Sequence, residues 1–392
     1  MKKSTRPLPA RGGYRPNATV RLVRAGHEYF NLLDKLIHEA HDSIHLQTYI
    51  FEPDETGTRV AKALIQAAKR GVKVYVIVDG YASQKLSKDF IRVLREAGIY
   101  FRFFAAYFKS KHFYFGRRLH HKVFVVDGRY SLVGGINIGN HYNDTAHNVA
   151  WIDWAVYCDG DISARLRKIC EARVQGKGRR SFVRHTMLEI QQKNKPVILA
   201  RPRINDWVRR KREITKSYLE MFRHAEDSIY MMSSYFLPGN LLLKNIAAAA
   251  KRGVKIKVIV AGISDVALAK YAERYMYGWF LRHGVEIWEY QRKVLHAKLS
   301  TYDGQWVTIG SYNINNISAY ASVELNIDIY NEGFARDVER RLKRIMELEC
   351  VQITPELYTK KQTLWERFLQ RSAYDIFRIL LFLFTFYFKQ RD

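Results

Sequence analysis

Two stretches of this sequence place the same polar residues at the same spacing. The first runs His120-x-Lys122-x-x-x-x-Asp127, then six residues, then Gly134-Gly135-x-Asn137. The second runs His296-x-Lys298-x-x-x-x-Asp303, then six residues, then Gly310-Ser311-x-Asn313. Chemistry at a phosphate needs a nucleophile or proton carrier, a fixed cation and neutral hydrogen-bond donors, and each copy supplies all three. One histidine among the 13 in this chain would carry little weight, whereas a multi-point pattern present twice carries a great deal.

The local elements explain how such residues could converge. His120 and Lys122 precede the apolar run Val123–Val126, which predicts a strand; residues two apart on a strand share a face. The same holds for His296 and Lys298, while His121 should point to the opposite face and pack there. Asn137 and Asn313 follow Gly135 and Ser311 in turns whose small residues let backbone approach a phosphate. Asp127 and Asp303 stand at the ends of their strands, where a carboxylate serves either the substrate or the turn backbone. A lysine two residues from each histidine would oppose a divalent ion, so these motifs point to metal-independent chemistry.

The repeat extends beyond the motifs. Ala40–Ile44 and Tyr49–Pro53 are echoed by Ala225–Ile229 and Tyr235–Pro238. Lys69-Arg-Gly-Val-Lys73 returns as Lys251-Arg-Gly-Val-Lys255, each followed by a Val-Ile-Val strand. Strands are expected over 43–51 and 72–78, with helices over 58–69 and 88–97 closed by Gly71 and Gly98. The second half repeats this with helices over 242–250 and 267–282 and a strand over 254–260. Strands alternating with helices imply an α/β fold of two pseudo-symmetric lobes, each a mixed sheet flanked by helices.

The pattern HxKxxxxDxxxxxxG(G/S)xN resembles that of the phospholipase D superfamily, and both copies match at every position. Within it the chain is most similar to bacterial cardiolipin synthases of the short type, which lack two N-terminal membrane helices. Ser234–Gly239 resembles the matching segment of those enzymes. The resemblance implies a site between the lobes, one histidine attacking phosphorus to form a phosphohistidine and the other protonating the leaving alkoxide. The first-motif histidine, His120, is the expected nucleophile. Lys122, Lys298, Asn137 and Asn313 would offset charge on the phosphoryl oxygens. Glu324, 11 residues after Asn313, would orient an imidazole; Asp153 is its candidate counterpart, at a longer spacing from Asn137. No cofactor and no metal are implied. The implied reaction is transfer of a phosphatidyl group to phosphatidylglycerol, with phosphatidylethanolamine as a possible second partner. A phospholipase D-type hydrolase, a phosphatidylserine synthase and a nuclease remain alternatives.

Composition narrows the partners. The 392 residues hold 65 Lys and Arg against 38 Asp and Glu, a formal charge of +27. That excess favours an anionic membrane or nucleic acid. The segment Phe101–Arg118 interleaves aromatic and basic residues directly before His120, which suits a rim dipping into lipid headgroups. Two motifs in one chain disfavour nucleic acid, because small nucleases of the superfamily carry one and dimerise. A cell-membrane protein, peripheral on the cytoplasmic side, is therefore expected. Three cysteines without CxxC spacing fit a reducing compartment, and oligomeric state is left open.

The expected organisation is a basic tail (1–19), a first lobe (20–172), a polar crossover (173–200), a second lobe (201–350) and a helical, membrane-associating tail (351–392). The N-terminus lacks the apolar run of a signal peptide. No run of 18 apolar residues occurs, so a spanning helix is not expected. Residues Tyr374–Phe388 (YDIFRILLFLFTFYF) are read as a short interfacial anchor, with packing back onto the lobes as the alternative.

Overall fold

The chain is described by a computed structural model covering residues 12–105, 117–174, 198–315, 318, 322–360 and 363–389, with 380–389 as helical backbone. Residues 175–197 of the expected crossover (173–200) and 106–116 of the aromatic, basic segment lie outside the described residues.

The first half comprises β1 (Arg15–Arg24), α1 (His27–His38), β2 (Ser43–Thr48), α2 (Glu55–Lys69), β3 (Lys73–Asp79), α3 (Lys88–Glu96), β4 (Tyr100–Phe104), β5 (Arg118–Leu119), β6 (Lys122–Val126), β7 (Tyr130–Gly134), β8 (Trp154–Gly160) and α4 (Asp161–Val174). The second half begins with β9 (Ile198–Asp206), β10 (Lys211–Arg212), α5 (Glu213–His224), β11 (Ser228–Ser233), α6 (Asn240–Lys251), β12 (Lys255–Ile263) and α7 (Ala267–Arg282). It continues with β13 (Glu286–Val294), β14 (Lys298–Tyr302), β15 (Trp306–Gly310), β16 (Ser322–Tyr330), α8 (Glu332–Glu349) and β17 (Cys350–Ile353). Two further helices follow, α9 (Pro355–Lys360) and α10 (Leu364–Lys389).

The two halves use one topology. Strands β4, β3 and β2 lie parallel, followed by antiparallel β6, β7 and β8. In the second half β13, β12 and β11 lie parallel, followed by antiparallel β14, β15 and β16. β1 pairs with β8 and β9 with β16, and Arg15–Asn17 join β1 to β9. The half-sheets are thereby stitched into one mixed ladder. A central apolar cluster draws on both halves and is covered by α4 (Ile162, Leu166, Cys170) and α8 (Val338, Leu342, Ile345). Two outer clusters lie under α1–α3 and α5–α7. The expected α/β architecture is what the chain adopts.

Boundaries moved where side chains took over backbone roles. α2 starts at Glu55, three residues before the expected position, because Asp54 accepts the Gly57 N–H as an N-cap. β2 ends at Thr48, not at Phe51. Beyond it the Ile50 N–H donates to Asn137 Oδ1 (3.0 Å) and the Phe51 N–H to Ser83 Oγ (3.0 Å), so polar side chains replace the ladder and the chain turns into the site. Ala373 is buried, Phe377 joins the second outer cluster, and the Tyr374 ring lies 4.9 Å from that of Tyr275 on α7. The start of the expected anchor is therefore packed onto the protein.

Candidate active site

The cavity sits where the half-sheets meet, has a volume of about 280 Å³, and includes His120, Asn137, His296 and Asn313 in its wall. The structure thus brings the histidine and asparagine of both motifs to one place. His120 is not within a strand as expected. It stands between β5 and β6, and its backbone N–H donates to Val323 O of the second half (3.0 Å). The His296 N–H donates to Ile152 O of the first half (2.9 Å). Each histidine is clamped by backbone of the opposite half.

The side chains cross over as well. His120 Nδ1 donates to Glu324 Oε2 at 2.9 Å, and His296 Nδ1 is hydrogen-bonded to Asp153 Oδ2 at 2.6 Å. Both carboxylates are fully buried. Bonding at Nδ1 leaves Nε2 of each ring for the substrate. Asp153 and Glu324 are equivalent by register: Gly134 faces Ala155 as Gly310 faces Asn326. The longer spacing in the first half accommodates the loop in which Thr145 and Asn148 pair.

The two couples differ electrostatically. Burial would raise Glu324, but His120, Lys122 and the Ser311 hydroxyl hold it below the ordinary glutamate range. Ser322 Oγ donates to its second oxygen at 2.6 Å. Asp153 accepts the Trp154 N–H (2.7 Å) beside its bond to His296, and burial pushes it up to about 7. Burial lowers both imidazoles, His296 well below the usual histidine range. The Asp153–His296 couple therefore retains a proton to higher pH than an ordinary carboxylate, while Glu324 stays ionised behind His120.

The lysines are buried at the same level. Lys122 Nζ donates to His120 O (2.6 Å) and lies 5.1 Å from the centre of the Tyr49 ring. Lys298 Nζ donates to Ser234 Oγ (2.8 Å) and to His296 O. Burial lowers Lys122 to about 7 and Lys298 to about 8, with the buried carboxylates opposing. Asn137 spends its Oδ1 on Ile50, and its buried Nδ2 has no acceptor among the described residues. An anionic oxygen in the cavity would satisfy it.

Asp127 and Asp303 take the turn-binding role. Asp127 accepts the N–H groups of His41, Asp42 and Ser43 at 2.8–3.0 Å, and Asp303 those of Glu226, Asp227 and Ser228 at 2.9–3.0 Å. They fix the start of β2 and β11 rather than the cavity wall. Gly135 lies under Asp153, where a Cβ would stand 2.4 Å from Oδ1, so its small size serves the carboxylate. Ser311 likewise reaches Glu324. His121 is buried against Gln47 (2.9 Å) on the far side, as its alternation predicted. Residue-by-residue reading missed Tyr49, Ser234, Tyr142 and Asp265, whose places depend on contacts distant in sequence, and Ser322, which shares a strand face with Glu324 two residues on and so carried a local signal.

Comparisons with known proteins point to one family. The family model described as "Cardiolipin synthase, PLD-like domain" matches residues 33–172 and 218–346. Cardiolipin synthase B of Shigella flexneri is 31% identical over 361 residues, covering 90% of this chain and 86% of that protein. Cardiolipin synthase of Listeria monocytogenes is 30% identical over 370 residues, covering 89% and 73%. Among solved structures, phosphatidylserine synthase of Haemophilus influenzae superposes with a TM-score of 0.72 at 13% identity, covering 93% of this chain and 95% of that one. Polyphosphate kinase of Porphyromonas gingivalis gives 0.61 at 14% identity, covering 93% and 53%. At such identities the superpositions establish a shared fold.

Proposed function

The chain belongs to the family of PLD-like cardiolipin synthases, and from that premise we propose that it transfers a phosphatidyl group between two phosphatidylglycerol molecules. In this reading His120 Nε2 attacks phosphorus as the bond to glycerol breaks, and His296 gives the leaving oxygen its proton. The primary hydroxyl of a second phosphatidylglycerol then loses its proton to His296 and attacks. The P–N bond breaks, releasing cardiolipin and restoring His120. Each turnover frees one glycerol and consumes no nucleotide.

The observation that carries the reading is the crossed pairing of the two histidines with carboxylates of the opposite halves in one cavity. A firmly ionised Glu324 holds His120 in the tautomer that leaves Nε2 as an electron-pair donor. A proton-retaining Asp153–His296 couple suits the acid. Asn137 and Asn313 line the cavity, and in this reading they and the buried Lys122 and Lys298 behind the histidines stabilise the charge that builds on the equatorial oxygens. The lysines beside each histidine argue for chemistry without a metal. The net charge of +27 supports work at an anionic membrane surface, peripheral and on the cytoplasmic side.

The test is incubation of the purified protein with phosphatidylglycerol vesicles and mass spectrometry of the lipids. Cardiolipin and glycerol should appear in equal amounts, with EDTA having no effect. A parallel incubation with labelled phosphatidylethanolamine asks whether it also serves as a partner. Efficient DNA cleavage with no lipid turnover would overturn the proposal.

A further inference from the structure

Between the end of β12 and the start of α7 the chain passes the catalytic cavity. Asp265 reaches the cavity wall there and accepts the Tyr235 hydroxyl at 2.5 Å. The apolar side chains on either side of it, Ile263, Val266 and Leu268, face solvent. Tyr271 and Tyr275 follow Leu268 at helical spacing, so the exposed face runs on along α7.

α10 packs along α7, with the Tyr374 ring 4.9 Å from that of Tyr275. Its inner side is set by Gln370, Ala373 and Phe377. Its outer side carries Trp365 (65% exposed), Phe368 (60%), Ile376 (47%) and Ile379 (58%), at spacings that keep them in one stripe. Arg367, Arg371 and Arg378 are also on the outer, exposed side. Scattered exposed apolar residues are ordinary, but a run of them across neighbouring elements beside a reaction cavity marks a contact surface.

We propose that this surface, from the loop at Ile263–Leu268 along α7 to the outer stripe of α10, docks onto an anionic phospholipid bilayer and sets the cavity mouth at headgroup level. The inference rests on the proposed lipid substrate, which resides in a bilayer. Three observations select lipid as the occupant. Aromatic residues and arginines beside an aliphatic stripe form the composition of an interfacial helix. The arginines complement anionic headgroups, adding to the +27 charge. The surface borders the cavity that receives the headgroup in the proposed reaction, through Asp265. No described helix is long and apolar enough to cross a membrane, so α10 would lie along the surface. This differs from an anchor confined to the last apolar residues, because it begins at Trp365 and includes α7.

The full-length protein should be sedimented with phosphatidylglycerol vesicles and with neutral phosphatidylcholine vesicles. Trp365→Glu combined with Phe368→Glu, and separately Leu268→Glu, should weaken binding to phosphatidylglycerol vesicles at least tenfold. Turnover of short-chain, monomerically dispersed phosphatidylglycerol should stay within twofold of wild type. Trp365→Ser with Phe368→Ser provides a milder pair should the glutamates unsettle the helix. Unchanged vesicle binding in all these variants would overturn the proposal, as would a wild-type dimer that the variants dissociate with no loss of lipid binding. Vesicle binding lost in the variants, with no lipid turnover by the wild type in any form, would uphold this surface and reject the proposed activity.

Discussion

Glu324 Oε2 lies 2.9 Å from His120 Nδ1 although 204 residues separate them, and Asp153 stands in the same relation to His296 from the other direction. Neither half can assemble a backed histidine without the other. Glu324→Gln keeps the shape but loses the charge and the certainty of the tautomer. It should lower kcat by roughly 10²–10⁴-fold, the scale of losing such a carboxylate. A change in the pH profile and in the imidazole tautomer by nitrogen NMR would separate this positioning role from simple destabilisation. Ser322→Ala removes one donor to Glu324 and should cost far less, roughly a few-fold. An unaltered pH profile in Glu324→Gln would argue against orientation.

A second prediction concerns the division of labour between the histidines. His120→Ala and His296→Ala should each reduce turnover at least about a thousandfold, because the pair acts as a unit. Rapid quench of the wild type with phosphatidylglycerol should give a phosphatidyl adduct that maps to His120. An adduct on His296 would reverse the assignment of acid and nucleophile.

The motifs were legible because chemistry dictates their residue types, and the folding repeat was legible because helix and strand periods recur around Gly71 and Gly253. What sequence could not give was proximity across halves. Nothing local says that Glu324 backs His120 or that Asp153 backs His296, and Ser234 meets Lys298 from 64 residues away. Asp153 was obscured by the intervening loop around Thr145–Asn148, which shifts its spacing without shifting its register. Asp127 and Asp303 share the motif but hold turns, since a motif records which residues recur and not which of them touch substrate. The start of the stretch read as an anchor packs through Tyr374 and Phe377 on α7, about a hundred residues earlier in the chain, and no local signal carries that contact.

Burial of two ammonium groups sets stability against function. Both lysines have folded values below that of the free side chain, so the unfolded chain binds more protons between about 7 and the ordinary lysine value. Stability contributed by these groups therefore rises with pH across that window and is lowest below it. Lys298→Met should cut turnover by roughly two to four orders of magnitude and raise Tm at pH 7 by on the order of a few degrees. A Tm that falls while activity persists would show that Lys298 is structural.

The same lysines predict the alkaline limb of the rate profile. An ammonium is present below its pKa and lost above it, so kcat/KM should decline as pH passes about 7 to 8, where Lys122 and Lys298 titrate in the free enzyme. A bound phosphodiester favours the charged form, so the corresponding limb in kcat should lie at higher pH. Coincident limbs would mean that the phosphate does not contact these groups.

The last prediction tests the close packing under the acid couple. The Cβ of any residue placed at Gly135 would stand 2.4 Å from Asp153 Oδ1 and 2.6 Å from Oδ2, closer than non-bonded atoms approach. The equivalent position in the second half holds Ser311, which fits because its hydroxyl bonds Glu324 instead of clashing with it. Gly135→Ser should therefore not reproduce the second half. It should displace Asp153, release His296 from its orientation and lower kcat by at least about tenfold, with KM less affected. Ser311→Gly makes the opposite change: it opens space and removes one donor, so Glu324 should titrate at higher pH and activity should fall only a few-fold. If Gly135→Ser retains full activity, Asp153 has room to move and the tight support of His296 is not required for proton transfer.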